Sequence, residues 1–278
     1  MPAANTPIDQ FPLIPREHLF GNPTKAGGQL SPDGKWLSWL APLDGVLNIW
    51  LAPRDDQDAA KPVTKATERP IRSQFWSPDS SAVLYIQDKG GDENFLLYSV
   101  NVETGVETAL TPFEDTVVQV VGGSEQIRDQ ILIGLNNRDP QFHDVHLLNL
   151  TTGNLTLVYE NTAGYAGFVA DDTLTLRMAM AQNDAGGSDY FRITENVVEE
   201  EPFETTAMED SLTTSPAGYT NDGSILYWLD SRGRDTAALY AQDTATGERT
   251  LIAENDKADI SNTISDRKTG EVLAYSSN

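Results

Sequence analysis

The chain has 278 residues, which suits one large domain or two ordinary ones, and its 39% of hydrophobic residues are enough to form a core. Its formal net charge of −23 repels phosphate backbones and anionic lipid surfaces, so neither nucleic acid nor a membrane is expected as a partner. Since it has no cysteine, disulfides, thiolate catalysis and cysteine-ligated zinc are excluded.

The N-terminal residues 1–26 predict an irregular lead-in. Residues 1–22 contain four prolines and no long apolar run, and Arg16 is their first basic residue, which argues against a secretory signal. No stretch reaches the roughly 18 apolar residues that a transmembrane helix needs. We therefore expect a cytoplasmic protein.

A turn motif then recurs along the chain, each time ahead of an apolar run. Ser-Pro-Asp-Gly at 31–34 is followed 46 residues later by Ser-Pro-Asp-Ser at 77–80, and 143 residues after that by Thr-Asn-Asp-Gly at 220–223. Proline presets the first turn dihedral, aspartate binds nearby backbone amides and glycine accepts positive φ, so the motif reverses the chain without needing a ligand. The third and fourth repeats have Gly-Gly-Ser at 122–124 and Asp-Asp at 171–172 in its place.

A second marker shares the same period. Thr-Gly pairs at 104–105, 152–153 and 246–247 are 48 and 94 residues apart, and each lies between two strand-like runs. In the second repeat four strands are predicted, with turn residues between them, at 72–76, 82–87, 95–101 and 106–111.

These strands predict an all-β chain, a β-propeller of four-stranded antiparallel blades. Many of the runs are apolar on both faces, which indicates sheets buried on both sides, and each blade of a propeller packs between two others. We place the blades at about 27–67, 68–113, 114–161, 162–207 and 208–254, with part of a sixth at 255–278.

Several segments of the chain have a recognisable pattern beyond the repeat, at 14–20, 30–35, 75–79, 91–94, 97–98, 136–140, 143–145 and 230–236. With the repeats, they resemble the prolyl oligopeptidase family, in particular its bacterial acylaminoacyl-peptidase-like and dipeptidyl-aminopeptidase-like members. The likeness covers roughly residues 12–278.

The resemblance implies a seven-bladed propeller that caps an α/β-hydrolase domain and limits the access of peptides to it. The chain covers about five and a half blades, and we expect it to lack the hydrolase domain that holds the catalytic serine, aspartate and histidine. The sequence agrees, because 122–126 and 186–190 both lack the last glycine of Gly-x-Ser-x-Gly. We therefore expect the chain alone to have no peptidase activity. We also expect it to require no cofactor.

Two other polar patterns favour a structural interpretation. His143 and His146 are three residues apart, and on a strand such residues face opposite sides, so no metal site is predicted. The three glutamates at 199–201 resemble the glutamate pair that binds substrate amino termini in dipeptidyl peptidases of this family, but they lie in a loop and predict a solvated acidic segment.

Charged residues are concentrated in the predicted hairpins between the second and third strands of the blades. Strand order places these hairpins on one face. Their charges predict contacts either with a hydrolase domain and a peptide terminus, or with partners inside the propeller that fix each hairpin. The candidate residues are Asp92, Glu93, Arg138, Arg232 and Arg234.

Three functions fit these observations. The first is the non-catalytic propeller of a peptidase, with the hydrolase domain and peptide substrates as partners. The second is a free-standing TolB-like or WD-like propeller that binds other proteins. The third is a propeller enzyme such as a glycosidase or a lyase, which needs convergent carboxylates or metal ligands that the sequence does not reveal.

Overall fold

The computed structural model describes residues 13–277, and their first element is a short helix. This helix, α1 (Arg16–Phe20), lies in the segment predicted to be irregular, and residues 1–12 of that segment lie outside the described residues. The backbone N–H of His18 donates to the carbonyl of Pro15, which suits the fixed φ of proline at a helix start. Within residues 13–277 no helix is long and apolar enough to cross the bilayer.

Antiparallel strands account for nearly all the remaining regular structure. The first sheet comprises β1 (Ala26–Leu30), β2 (Trp36–Leu43), β3 (Val46–Pro53) and β4 (Lys61–Pro62). The second comprises β5 (Phe75–Trp76), β6 (Ala82–Gln87), β7 (Leu96–Asn101) and β8 (Glu107–Ala109). The third comprises β9 (Val118–Gly123), β10 (Gln130–Asp139), β11 (Phe142–Asn149) and β12 (Leu155–Tyr159).

The later sheets follow the same order, with one interruption. The fourth comprises β13 (Gly167–Ala170), β14 (Leu176–Gln182), β15 (Ser188–Thr194), β16 (Val197–Val198) and β17 (Glu204–Thr206), the last two both pairing with β15. The fifth comprises β18 (Ser215–Tyr219), β19 (Ile225–Asp230), β20 (Ala238–Asp243) and β21 (Arg249–Ala253), and the sixth β22 (Ile260–Ser265) and β23 (Val272–Ser277). Short 3-10 helices occupy Gln57–Ala59 and Met208–Asp210.

Each sheet packs face to face on the next, and the core lies in the layers between them. Val83 and Leu84 are adjacent on β6 and both fully buried, yet Val83 packs towards the first sheet and Leu84 towards the third. Trp228 of the fifth sheet packs in the same way on Tyr190 of the fourth, with the rings edge to face at 5.0 Å. This alternation is what the doubly apolar strands predicted, and it confirms the propeller of four-stranded blades.

The loops between first and second strands lie on one face, which we call the turn face (31–35, 77–81, 124–129, 171–175, 220–224 and 266–271). Ser31 shows how its motif works: its hydroxyl donates to Asp33 and accepts the N–H groups of Lys35 and Trp36. In the third sheet both glycines belong to β9; Ser124 accepts the N–H groups of Gln126 and Ile127, and the Glu125 N–H donates to Asp172 of the fourth blade. The loops of the third and sixth blades are joined by an ion pair, Arg267 to Glu125.

The first strand of the second blade is shorter than predicted. The sequence predicted it over 72–76, but β5 holds only Phe75 and Trp76. Gln74 instead binds the first blade: its carbonyl accepts from Gln29, its side-chain amide donates to the Gly27 carbonyl, and its side-chain oxygen accepts from Ser38. These bonds tie consecutive blades together and draw the segment away from β6.

Close approach of the backbone at Gly187 makes this position sensitive to a single methyl group. A Cβ there would lie 2.0 Å from the Thr206 carbonyl oxygen of β17, a backbone atom that cannot move without breaking the sheet. We therefore expect Gly187→Ala to lower the free energy of unfolding by about 3 kcal/mol. Urea unfolding would measure this against Gly28→Ala, where the added Cβ meets nothing within 4 Å; equal stability of the two variants would contradict the packing described.

Candidate interdomain surface

The loops between second and third strands lie on the face opposite the turn face. We call this the hairpin face, defined by the loops at 44–45, 88–95, 140–141, 183–187 and 231–237. Strand antiparallelism puts these loops together, because every blade runs in the same order from its first strand to its last. All five candidate residues lie in these loops or beside them.

In the second blade the hairpin loop is held by a buried carboxylate. Asp88 is 7% exposed, and Arg69 grips it with two hydrogen bonds of 3.1 and 2.9 Å. These bonds outweigh burial and hold the pKa of Asp88 below its ordinary value. Asp92 accepts the N–H groups of Lys89 and Asn94, so it closes the loop. Glu93 is exposed in a left-handed conformation with a φ of 61°, and its carboxylate is directed to no partner among the described side chains.

In the third blade the candidate arginine is part of an internal network. Arg138 binds both oxygens of Asp144 at 2.7 and 2.8 Å and also donates to the carbonyl of Asn161. Asp144 accepts the Asn161 N–H as well. Burial raises the pKa of the Asp144 carboxyl, but its hydrogen bonds with Arg138 and Asn161 lower it more, so the carboxylate stays charged at neutral pH. The network fixes the hairpin to the connection that leads into the fourth blade.

A four-residue cluster joins the fourth and fifth blades. Asp230, at the end of β19, binds Arg232 at 2.5 Å and Arg249 at 2.7 Å. Glu204 of β17 binds the same two arginines, each at 2.5 Å. The Arg249 guanidinium also lies 4.9 Å from the ring of Trp228, a cation–π contact. Hydrogen bonding to Asp230 raises the pKa of Arg232, so the cluster holds two positive and two negative charges in close balance.

The last candidate, Arg234, lies farther out in the fifth blade. It binds Glu254 and donates to the carbonyl of Thr236 at 3.3 Å. The three arginine candidates are therefore all engaged with partners inside the propeller, whereas the Glu93 carboxylate has no partner among the residues that the structure describes. Within the described part of the chain, no contact joins the candidates of the second, third and fifth blades to one another, and their role in binding a substrate or domain stays a prediction.

Sequence reasoning missed three members of these networks, Arg69, Glu204 and Arg249. Glu204 and Arg249 are 45 residues apart, which is one repeat, so the period itself was the signal that could have paired them. Arg69 gave no such signal, because it lies in a connection between two blades.

The two histidines of β11 occupy different environments. Burial lowers the pKa of His143, whereas His146 has its Nδ1 3.2 Å from the carbonyl oxygen of Asp144. The side chains described within 13–277 form no group of three or more His, Asp or Glu residues that could hold a metal ion.

Comparison with solved structures identifies the fold as a β-propeller. The chain superposes on oligogalacturonate lyase in complex with manganese (TM-score 0.58, 18% identity, 87% of this chain and 67% of that one). It also superposes on a prolyl endopeptidase (0.54, 17%, 84% and 36%) and on TolB from Acinetobacter baumannii (0.52, 13%, 89% and 55%). At these identities the likeness is one of fold alone. No known protein-family profile matches the chain.

The sequence relatives are two dipeptidyl peptidases. The chain is 48% identical over 275 residues to dipeptidyl aminopeptidase BIII of Pseudoxanthomonas mexicana, which covers 99% of this chain and 40% of that protein. It is 27% identical over 241 residues to dipeptidyl peptidase family member 6 of Caenorhabditis elegans, covering 82% of this chain and 32% of that one. The chain thus spans less than half the length of these relatives. The resemblance to the propeller of prolyl oligopeptidase family peptidases is confirmed.

Proposed function

We propose that the chain is the non-catalytic propeller domain of a serine peptidase, which docks an α/β-hydrolase domain and limits the access of peptides to it. The observation that carries the proposal is the extent of the match. Nearly the whole chain aligns at 48% identity with a protein named a dipeptidyl aminopeptidase, yet it accounts for only 40% of that protein. Peptide hydrolysis then depends on the part that the alignment does not cover.

The local structure of the candidate serines supports a non-catalytic role. Ser124 donates its hydroxyl hydrogen to the Asp172 carbonyl and accepts the N–H groups of Gln126 and Ile127, so its hydroxyl is saturated within a turn. Ser188 lies at the start of β15 and pairs with Thr206 in the middle of a sheet. The serine nucleophile of an α/β-hydrolase lies on a strand-to-helix turn beside a base, and neither serine has this setting.

The hairpin face supports the docking part of the proposal. Its loops present exposed charges such as Glu93, and ion pairs to the buried carboxylates of Asp88 and Asp144 anchor two of the hairpins within the propeller. A preorganised, charged and polar surface suits a contact between domains of one chain, which is more polar than a permanent subunit interface. On the turn face the turn-motif side chains instead form hydrogen bonds within their own turns.

An active-site serine probe tests the non-catalytic role. We expect a fluorophosphonate to label no residue of the 278-residue chain, because no serine is activated. The dipeptidyl aminopeptidase from Pseudoxanthomonas mexicana, treated in parallel, controls for probe reactivity. Stoichiometric labelling of Ser124, Ser188 or any other serine would show that the chain carries its own nucleophile and would refute the proposal.

A further inference from the structure

A small cavity lies between the fourth and fifth blades, beside the turn face. Its volume is about 180 Å³. The fourth blade contributes two arginines and Phe203, and the fifth contributes Tyr219, Asp222 and Thr244. It lies away from the hairpin face, and none of its side chains belongs to the ion-pair clusters described above.

Arg192 of β15 supplies a cation to this cavity. Its guanidinium lies 4.6 Å from the centroid of the Phe203 ring, which fixes its plane. Among the side chains that the structure describes, no carboxylate lies within ion-pairing distance of it, although the chain has 42 acidic residues against 19 lysines and arginines. The other arginine, Arg177, is neutralised by Asp171 at 2.6 Å.

Two residues with hydroxyl groups, Tyr219 and Thr194, also line this cavity. Neither Tyr219 nor Thr194 has a side-chain hydrogen bond to another described residue. Burial raises the pKa of Tyr219 to about 12, so its phenol is a donor at neutral pH. A guanidinium and two hydroxyls without partners form the donor set that an oxyanion requires.

The acidic and apolar groups around the cavity restrict the charge and the apolar part of the ligand. The Asp222 carboxylate also lines the cavity, its Oδ1 accepting three hydrogen bonds from its own turn, and the protein carries −23 overall. These negative charges disfavour an anion with two charges such as phosphate. Leu226 and the Phe203 ring, which pack in the layer between these two blades, supply an apolar wall that suits a short alkyl chain.

We propose that the cavity between the fourth and fifth blades binds a short aliphatic monocarboxylate, with the Arg192 guanidinium and the Tyr219 and Thr194 hydroxyls on its carboxylate. Arginine offers a planar fork that matches both carboxylate oxygens. The alkyl end of the ligand lies against Leu226 and Phe203. Binding would tie the two blades together, because Arg192 and Tyr219 belong to different sheets.

Titration of the ¹⁵N-labelled chain tests this site. Sodium butyrate, at constant ionic strength set with sodium chloride, is expected to shift the Arg192 Nε–H signal saturably, with a Kd in the low millimolar range. The signal is assigned by its loss in Arg192→Gln. Butyramide, the uncharged isostere, and inorganic phosphate are expected to leave it in place.

Two variants test whether the Arg192 guanidinium itself binds butyrate. Arg192→Lys keeps the charge but loses the fork, so butyrate should bind about tenfold more weakly, measured by its effect on Tm. Arg54→Gln, at an exposed ion pair in the first blade, should bind as the wild type does. The proposal is overturned if butyrate acts no differently from chloride on the wild type, or if butyramide or phosphate gives the same saturable shift. The wild-type titration decides this even if a variant fails to fold.

Discussion

Replacement of Asp230 by alanine is expected to lower the free energy of unfolding by about 3 kcal/mol and Tm by about 8 °C. Asp230 is 6% exposed and lies between Arg232 and Arg249. Its removal leaves two half-buried guanidinium groups with Glu204 as their single shared carboxylate. Breaking a buried ion pair from one side costs more than the pair contributes, because the remaining charge stays poorly solvated.

The control for this variant is Asp55→Ala. Asp55 also binds an arginine through both oxygens, at 2.9 and 3.1 Å, but its side chain is 83% exposed. Water and salt screen such a pair, so no measurable change in Tm is expected. If both variants melted at the wild-type temperature, the cluster would not stabilise the junction of the fourth and fifth blades.

The effect of Asp230 should also depend on pH. Burial raises the pKa of this carboxyl. Hydrogen bonds and charges from Arg232 and the charge of Arg249 lower it by more, so the pKa lies below the ordinary value of 3.8. A carboxyl with a lowered pKa stabilises the fold above its ordinary pKa, and this contribution is lost as the pH falls through the lowered value. The difference in Tm between wild type and Asp230→Ala should therefore be constant from about pH 5 to 7 and shrink below about pH 4.

The repeat made the fold predictable, since it recurs in both turn chemistry and strand pattern. Val83 and Leu84 show why: an apolar residue on each side of one strand has only one stable place, between two other sheets. The turns were predictable because Ser31 and Asp33 bind backbone groups within five residues. The hydrogen bonds of Gln74 were not predictable, because its partners Gly27 and Ser38 belong to another blade.

The candidate surface was predictable by position but not by pairing. Hairpin charges can be read directly from the sequence, whereas their partners are set by the contact between blades. Arg232 illustrates this. One of its partners, Asp230, is two residues away, but the other, Glu204, is 28 residues away, on the strand that follows the inserted strand β16. The repeat spacing could have paired Glu204 with Arg249, but no spacing in the sequence placed Glu204 beside Arg232.

A transplant into a related enzyme is expected to preserve peptidase activity. The aligned 275 residues of dipeptidyl aminopeptidase BIII would be replaced by those of this chain, to which they are 48% identical. Core residues and turns that share one fold should pack as in the parent, so the hybrid should still dock the remaining part of that enzyme. We expect kcat/KM on a dipeptidyl p-nitroanilide to stay within about tenfold of the parent value.

Two charge reversals within the hybrid locate the docking face. Glu93 is exposed on the hairpin face, and Glu103 is exposed in the same blade on the opposite face. Reversing a charge at an interface weakens docking, so Glu93→Lys should reduce kcat/KM by about tenfold, roughly 1.4 kcal/mol, while Glu103→Lys leaves it unchanged. Equal effects of the two reversals would remove the hairpin face from the proposal without affecting the domain assignment.

The most direct test of the central claim is therefore the rate at which the hybrid releases p-nitroaniline, measured beside the 278-residue chain alone. A non-catalytic propeller that docks a hydrolase domain predicts turnover by the hybrid and none by the chain. A hybrid that melts cooperatively but has no activity, or an isolated chain that turns over the substrate, would contradict it.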